Sequence, residues 1–127
     1  MVRSTQVILA IEKQMVRDFN AGKMDRLLAH FHPRVIGFSS TRQEKVSGRA
    51  TMRKTFDYYH KASSRMRYHI AKPEVHVFGE VAVATFYWTV KLGLGRPWHA
   101  IHGRGSHVFA RHDGKWLIVH EHFSRAH

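Results

Sequence analysis

The feature that most constrains this chain is a change of hydrophobic period near Arg67. Before it, apolar residues recur at three- and four-residue steps, the spacing of one helix face. Ile8, Ile11, Met15 and Phe19 mark such a face, which predicts a helix over residues 4–21. Ser4 or Thr5 is placed to cap its start and Gly22 to stop it. Residues 24–31 predict a short second helix ending before Pro33, and Val35–Ser39 a strand. Ser39–Ser47 reads as a polar loop. Met52, Phe56 and Tyr59 then mark the buried face of a third helix, about Arg49 to Ala62. After Arg67 the period becomes two. Arg67–Ile70, Glu74–Phe78, Val81–Leu92, His99–Arg111 and Trp116–Phe123 read as strands. Gly79-Glu80 and His112-Asp113-Gly114-Lys115 are hairpin turns, and Leu92–Pro97 is a longer connection. Helices first and an antiparallel meander afterwards is an α+β plan, with helices covering one face of a curved sheet.

With 127 residues, the expectation is a single domain spanning 1–127. Fifteen aromatic residues (8 Phe, 4 Tyr, 3 Trp) are enough to build a core, so a disordered chain is excluded. There is no cysteine, which removes disulfides, thiolate metal sites and a cysteine nucleophile. Val7–Ile11 is too short for a secretory segment, and no run is long enough to cross a membrane. The expectation is a soluble cytoplasmic protein. Lys+Arg is 21 against 9 Asp+Glu, a net charge of +12. Much of the excess lies between Arg42 and Lys72, where Glu44 and Asp57 are the acids. No phosphate loop or nucleic-acid recognition motif accompanies it, so polyanion binding is expected to be weak and without sequence specificity.

Six segments carry a resemblance: Ile11-Glu12 through Asn20-Ala21-Gly22; His32-Pro33 with Ile36-Gly37-Phe38; Val46-Ser47-Gly48; Pro73 through Glu80; His107 through Trp116; and Val119 through Ser124. In these the chain resembles the SnoaL-like branch of the nuclear transport factor 2-like superfamily. The pattern is nearest to the association (hub) domain of calcium/calmodulin-dependent protein kinase II. The resemblance implies a cone-shaped bent sheet wrapped around a long N-terminal helix, a pocket at the cone's open end, and a second subunit against the outer sheet face. The superfamily holds isomerases, dehydratases, cyclases and non-catalytic hubs, so the fold does not supply a reaction.

Strand alternation separates the faces. In the kinase hub, pocket arginines fall at positions matching Thr89, His107 and Phe123. Taking those positions as inward predicts a pocket lined by Tyr87, Thr89, His107, Glu121 and Phe123, with Phe109 on the same side and Met52 or Phe56 of the third helix closing it. Without the arginines the pocket is aromatic with one acid. Pairing across the Asp113-Gly114 turn sets His107 opposite His120, with Glu121 beside it. Glu121 is the candidate general base, a carboxylate enclosed by aromatic side chains. His107 is its partner and the Tyr87 hydroxyl an oxyanion donor. An inner-strand glutamate is also commonly held by an arginine or a backbone amide and does no chemistry.

The same alternation puts Trp88, Trp116, Ile118, His120 and His122 on the outer face, as a homodimer or higher even-oligomer interface. His102, His120 and His122 read either as interface residues or as imidazoles able to share a metal; the interface reading is taken and no metal is assigned. Trp98 is placed at a loop tip. The expected function is small-molecule binding, with cofactor-free acid–base chemistry of isomerase, cyclase or dehydratase type on a small apolar carbonyl compound. The alternative is a non-catalytic oligomerisation or ligand-sensing module.

Overall fold

The computed structural model describes residues 2–62, 66–93 and 99–126. Helix α1 (Val2–Asn20) leads into α2 (Met24–Leu28), strand β1 (Phe31–Phe38) and the short β2 (Val46–Ser47). Helix α3 (Arg49–Ala62) precedes four long strands: β3 (Met66–Phe78), β4 (Val81–Leu92), β5 (His99–His112) and β6 (Lys115–Arg125). The strands form one curved, unclosed six-stranded sheet in the order β2-β1-β6-β5-β4-β3. This is the expected α+β cone, with α1 laid across the inner side of the sheet.

The local differences from the sequence expectation have identifiable causes. Helix α1 starts at Val2, so Ser4 and Thr5 lie inside it rather than capping it. It does stop where predicted: Gly22 takes φ 73°, a left-handed conformation that glycine adopts without a Cβ clash. Helix α2 ends at Leu28 rather than Phe31, because Phe31 already pairs in parallel with Ile118 of β6. Pro33 sits within β1, between paired Phe31 and Ile36 where the ladder is irregular. A residue without an N–H is tolerated there. The runs 67–70 and 74–78 belong to one strand, β3, interrupted at Lys72-Pro73, where Lys72 has φ 53°.

The main correction concerns β6. Phe109 pairs with Ile118, but Val108 pairs with His120, leaving Val119 as an extra residue. Such a bulge inverts the alternation along the strand. Trp116 and Ile118 therefore point inward on one side of it, and Glu121 and Phe123 point inward on the other. Trp116 and Ile118 are core residues rather than parts of an outer interface, and so is Trp88. They join Ile8, Met15, Phe19, Phe31, Met52 and Phe109 in the buried interior between α1, α3 and the sheet. No helix of the described residues is long and apolar enough to cross a membrane.

Candidate functional site

Helix α1 carries an anomaly on its buried face. Ile8, Glu12, Met15 and Phe19 form one stripe at four-, three- and four-residue steps, and Glu12 is 2% exposed. A carboxylate in an apolar interior needs a partner. That partner is His107 of β5, 3% exposed, whose Nδ1 lies 2.7 Å from Glu12 Oε2. On its other side, His107 Nε2 lies 2.8 Å from Glu121 Oε1 of β6. His107 and Glu121 are directly opposed in the β5–β6 ladder, one residue away from the expected pairing with His120, again because of the bulge. Gly37 of β1 allows this packing, since a Cβ there would run into the backbone carbonyl of Glu121.

Burial alone would push the His107 pKa down. The charges of Glu12 and Glu121 and the hydrogen bonds to both oppose it and carry the value up to about 10. The ring is thus an imidazolium donating one N–H to each carboxylate. Four aromatic rings surround it: Phe86 at 5.2 Å between centroids, Phe123 at 5.8 Å, Phe31 at 6.1 Å and Phe109 at 6.2 Å. They keep water away and present π-faces or edges to the cation. Among the described residues no hydrogen bond reaches Glu121 Oε2, which faces the cavity, and the buried side-chain oxygen left without a partner is Asp18 Oδ2.

This array forms the floor of a cavity of about 470 Å³ that Glu12, His107 and Glu121 all line. That volume suits a small molecule, for which sites of about 300–1,000 Å³ are usual. Met15, Phe19, Met52, Phe56, Trp88 and Phe123 supply apolar wall, and Tyr68 of β3 adds a hydroxyl. Burial first, and then the charges of Glu12 and Glu121, push the Tyr68 phenol well above its ordinary pKa. It stays a neutral O–H donor, and its oxygen has no partner among the described residues. Asn20 holds it in place by its backbone: Asn20 Nδ2 donates to the Tyr68 carbonyl at 2.9 Å, and the Tyr68 N–H donates to Asn20 Oδ1 at 2.8 Å.

Of the residues expected in the pocket, His107, Glu121, Phe123, Met52 and Phe56 line this cavity together. Phe109 is fully buried against His107 and does not reach the cavity. Tyr87 and Thr89 lie on the opposite face of the sheet. In the β4–β5 ladder Ala84 faces His107, so the even-numbered residues Phe86 and Trp88 point inward and Tyr87 is 55% exposed. The Thr89 hydroxyl bonds His102 Nδ1 at 3.0 Å on that outer side. The oxyanion role assigned to Tyr87 therefore has no basis; the cavity tyrosines are Tyr68 and Tyr59. His122 is exposed and packs on Phe38, 5.6 Å between ring centroids. No group of three or more His, Asp or Glu among the described residues is arranged to hold a metal ion. Trp98 lies outside the described residues. Sequence reasoning missed Glu12 and Tyr68. The signal for Glu12 was present, an acid centred on an otherwise apolar helical stripe.

Solved structures reproduce the architecture. A protein from Pseudomonas putida of the nuclear transport factor 2-like type, of unknown function, superposes with a TM-score of 0.89 at 16% identity, over 98% of this chain and 87% of that one. A candidate dehydratase of the same type from Streptomyces avermitilis gives a TM-score of 0.86 at 15% identity, over 98% and 97%. A candidate calcium/calmodulin-dependent protein kinase II association domain from Xanthomonas campestris gives 0.81 at 18% identity, over 94% and 85%. At these identities the likeness establishes the fold. No curated protein sequence matches the chain. The family model of the SnoaL-like domain matches residues 8–127, and the chain belongs to that family.

Proposed function

We propose that the cavity is an acid–base site for a small, largely apolar carbonyl compound, with Glu121 as the base. The observation that carries this reading is the buried Glu12–His107–Glu121 array on the floor of an apolar cavity, with one carboxylate oxygen unpartnered. Glu121 Oε2 takes a proton from the carbon next to the carbonyl. The C–H electron pair becomes the enolate, and the negative charge moves from Glu121 to the substrate oxygen. The Tyr68 hydroxyl donates a hydrogen bond to that oxygen. The total charge in the site does not change during this step, because the imidazolium and Glu12 remain an ion pair throughout. That matters in a region where creating net charge is costly.

The protonated Glu121 then returns its proton. Delivery to another carbon completes an isomerisation. Delivery to a β-hydroxyl, with cleavage of its C–O bond, completes a dehydration and releases water. His107 and Glu12 act as positioning residues that hold the Glu121 carboxylate in one orientation. Relatives named as candidate dehydratases, including one assigned to scytalone dehydration from Novosphingobium aromaticivorans, are compatible with such chemistry.

The test needs no knowledge of the natural substrate. β-Tetralone, an apolar ketone with an acidic α-C–H, exchanges that hydrogen for deuterium in D2O at a rate read by proton NMR. The protein is expected to accelerate exchange above buffer carboxylate and imidazole. No acceleration would leave the cavity as a binding site of a ligand-sensing or assembly module.

A further inference from the structure

We infer that the cavity takes its substrate in one orientation, carbonyl end inward and a carboxylate at the mouth, with Arg125 as the residue that reads the carboxylate. The inference rests on the reading of the floor as a carbonyl site. Glu121, Phe123 and Arg125 alternate along the inner edge of β6, and all three line the cavity. At about 3.3 Å per residue, the Arg125 backbone stands about 13 Å beyond that of Glu121. Between them stands Phe123; Trp88 is level with Arg125 through Gly103, and Val90, Ile101, Leu92 and Met66 continue the apolar wall past it.

Arg125 is exposed, lines the cavity, and has no ion pair or hydrogen bond among the described residues. Arg111 and Arg53 are paired with Glu80 and Asp25, whereas the Arg125 guanidinium is left to the cavity. Hydroxyls lie at the same end. Phe38 of β1 is level with His122 of β6, so the chain continuing through Ser39–Thr41 leads to the level of Arg125. Ser39, Ser40 and Thr41 line the cavity, Thr41 lies 3.4 Å from the Ser39 hydroxyl, and it also bonds the Tyr59 hydroxyl. A guanidinium with neighbouring hydroxyls is a donor set for a carboxylate.

The floor and the Arg125 position have opposite charge. Two carboxylates against one imidazolium leave the floor net negative, while Arg125, exposed and unpaired among the described residues, puts a cation at the mouth. An anionic group is therefore repelled from the floor and attracted to the mouth, and the apolar wall accommodates what lies between. A carbonyl compound with an apolar body and a remote carboxylate fits this polarity. A ligand with its acid beside the reacting carbon does not.

Isothermal calorimetry with decanoate and decanol tests the inference, the two sharing a chain and differing in the head. Decanoate is expected to bind about fivefold tighter at low ionic strength, against the greater desolvation cost of its charge. Arg125→Met should abolish that preference and leave decanol affinity unchanged, and salt should reduce the preference in the wild type. Equal affinities in the wild type, a preference surviving Arg125→Met, or binding of neither probe would each overturn the inference. The catalytic reading is separable. An Arg125-dependent preference without β-tetralone exchange would refute the chemistry and support the carboxylate site. Exchange without the preference would do the reverse.

Discussion

Replacing Glu12 by Gln tests whether His107 is an imidazolium fixed by its neighbours. The substitution keeps size and hydrogen-bonding capacity and removes one of the two negative charges. His107 titrates at about 10 in the folded protein against an ordinary 6.5. Because the folded value is the raised one, the resulting stabilisation is complete below about pH 6.5. It is lost as pH rises through the window to about 10. Within that window stability should fall by about 1.4 kcal/mol per pH unit, a few kcal/mol in total. In Glu12→Gln the folded His107 value drops, so the decline ends at a lower pH. Titrating groups outside the Glu12–His107–Glu121 array contribute equally to both proteins and cancel in the difference. Urea unfolding at a series of pH values measures it. The wild type should be the more stable protein in mild acid, with the margin shrinking toward alkaline pH. Parallel curves for the two proteins would refute the reasoning, as would a His107 ring proton titrating near 6.5 by NMR.

Three further outcomes follow from the geometry. Tyr68→Phe should slow β-tetralone exchange about 100-fold, the usual cost of an oxyanion donor, with ligand affinity little changed; an unaltered rate would remove Tyr68 from the chemistry. Gly105→Ala should destabilise the protein by about 1–3 kcal/mol in urea unfolding, because its Cβ would stand 2.6 Å from the Phe86 ring that packs on His107; an unchanged midpoint would show that the ring can yield. Light scattering should give a dimer formed through the outer sheet face carrying Ile36, Phe38 and Tyr87, weakened by Tyr87→Lys; a 14.8 kDa species at micromolar concentration would contradict it.

Much of the fold was legible because period and turn chemistry are local signals. The Val81–Leu92 strand, the Asp113-Gly114 turn and the glycine stop after α1 appear where the residues put them. What was not legible depends on pairing. Nothing local to Val119 announces a bulge, yet that one extra residue decides that Trp116 and Glu121 share a face. Which parity of β4 faces inward is fixed by its register with β5, and arguing it from the kinase hub's arginine positions placed Tyr87 and Thr89 on the wrong side. Phe31 reads as helical until β6 is present to pair with it. His107 and Glu121 were identifiable from the strands that flank one turn. Glu12 lies 95 residues from His107 in sequence, and only the fold brings them together.

The central claim is that the unpartnered oxygen of Glu121 is the base on the cavity floor. Its most direct test is the rate of β-tetralone deuterium exchange in Glu121→Gln against the wild type at neutral pH. Gln retains an oxygen to accept from His107 and loses the basic carboxylate. The account predicts a fall of about 100-fold or more, the typical contribution of a general base, with β-tetralone still bound by the untouched apolar walls. An exchange rate equal to that of the wild type would contradict it.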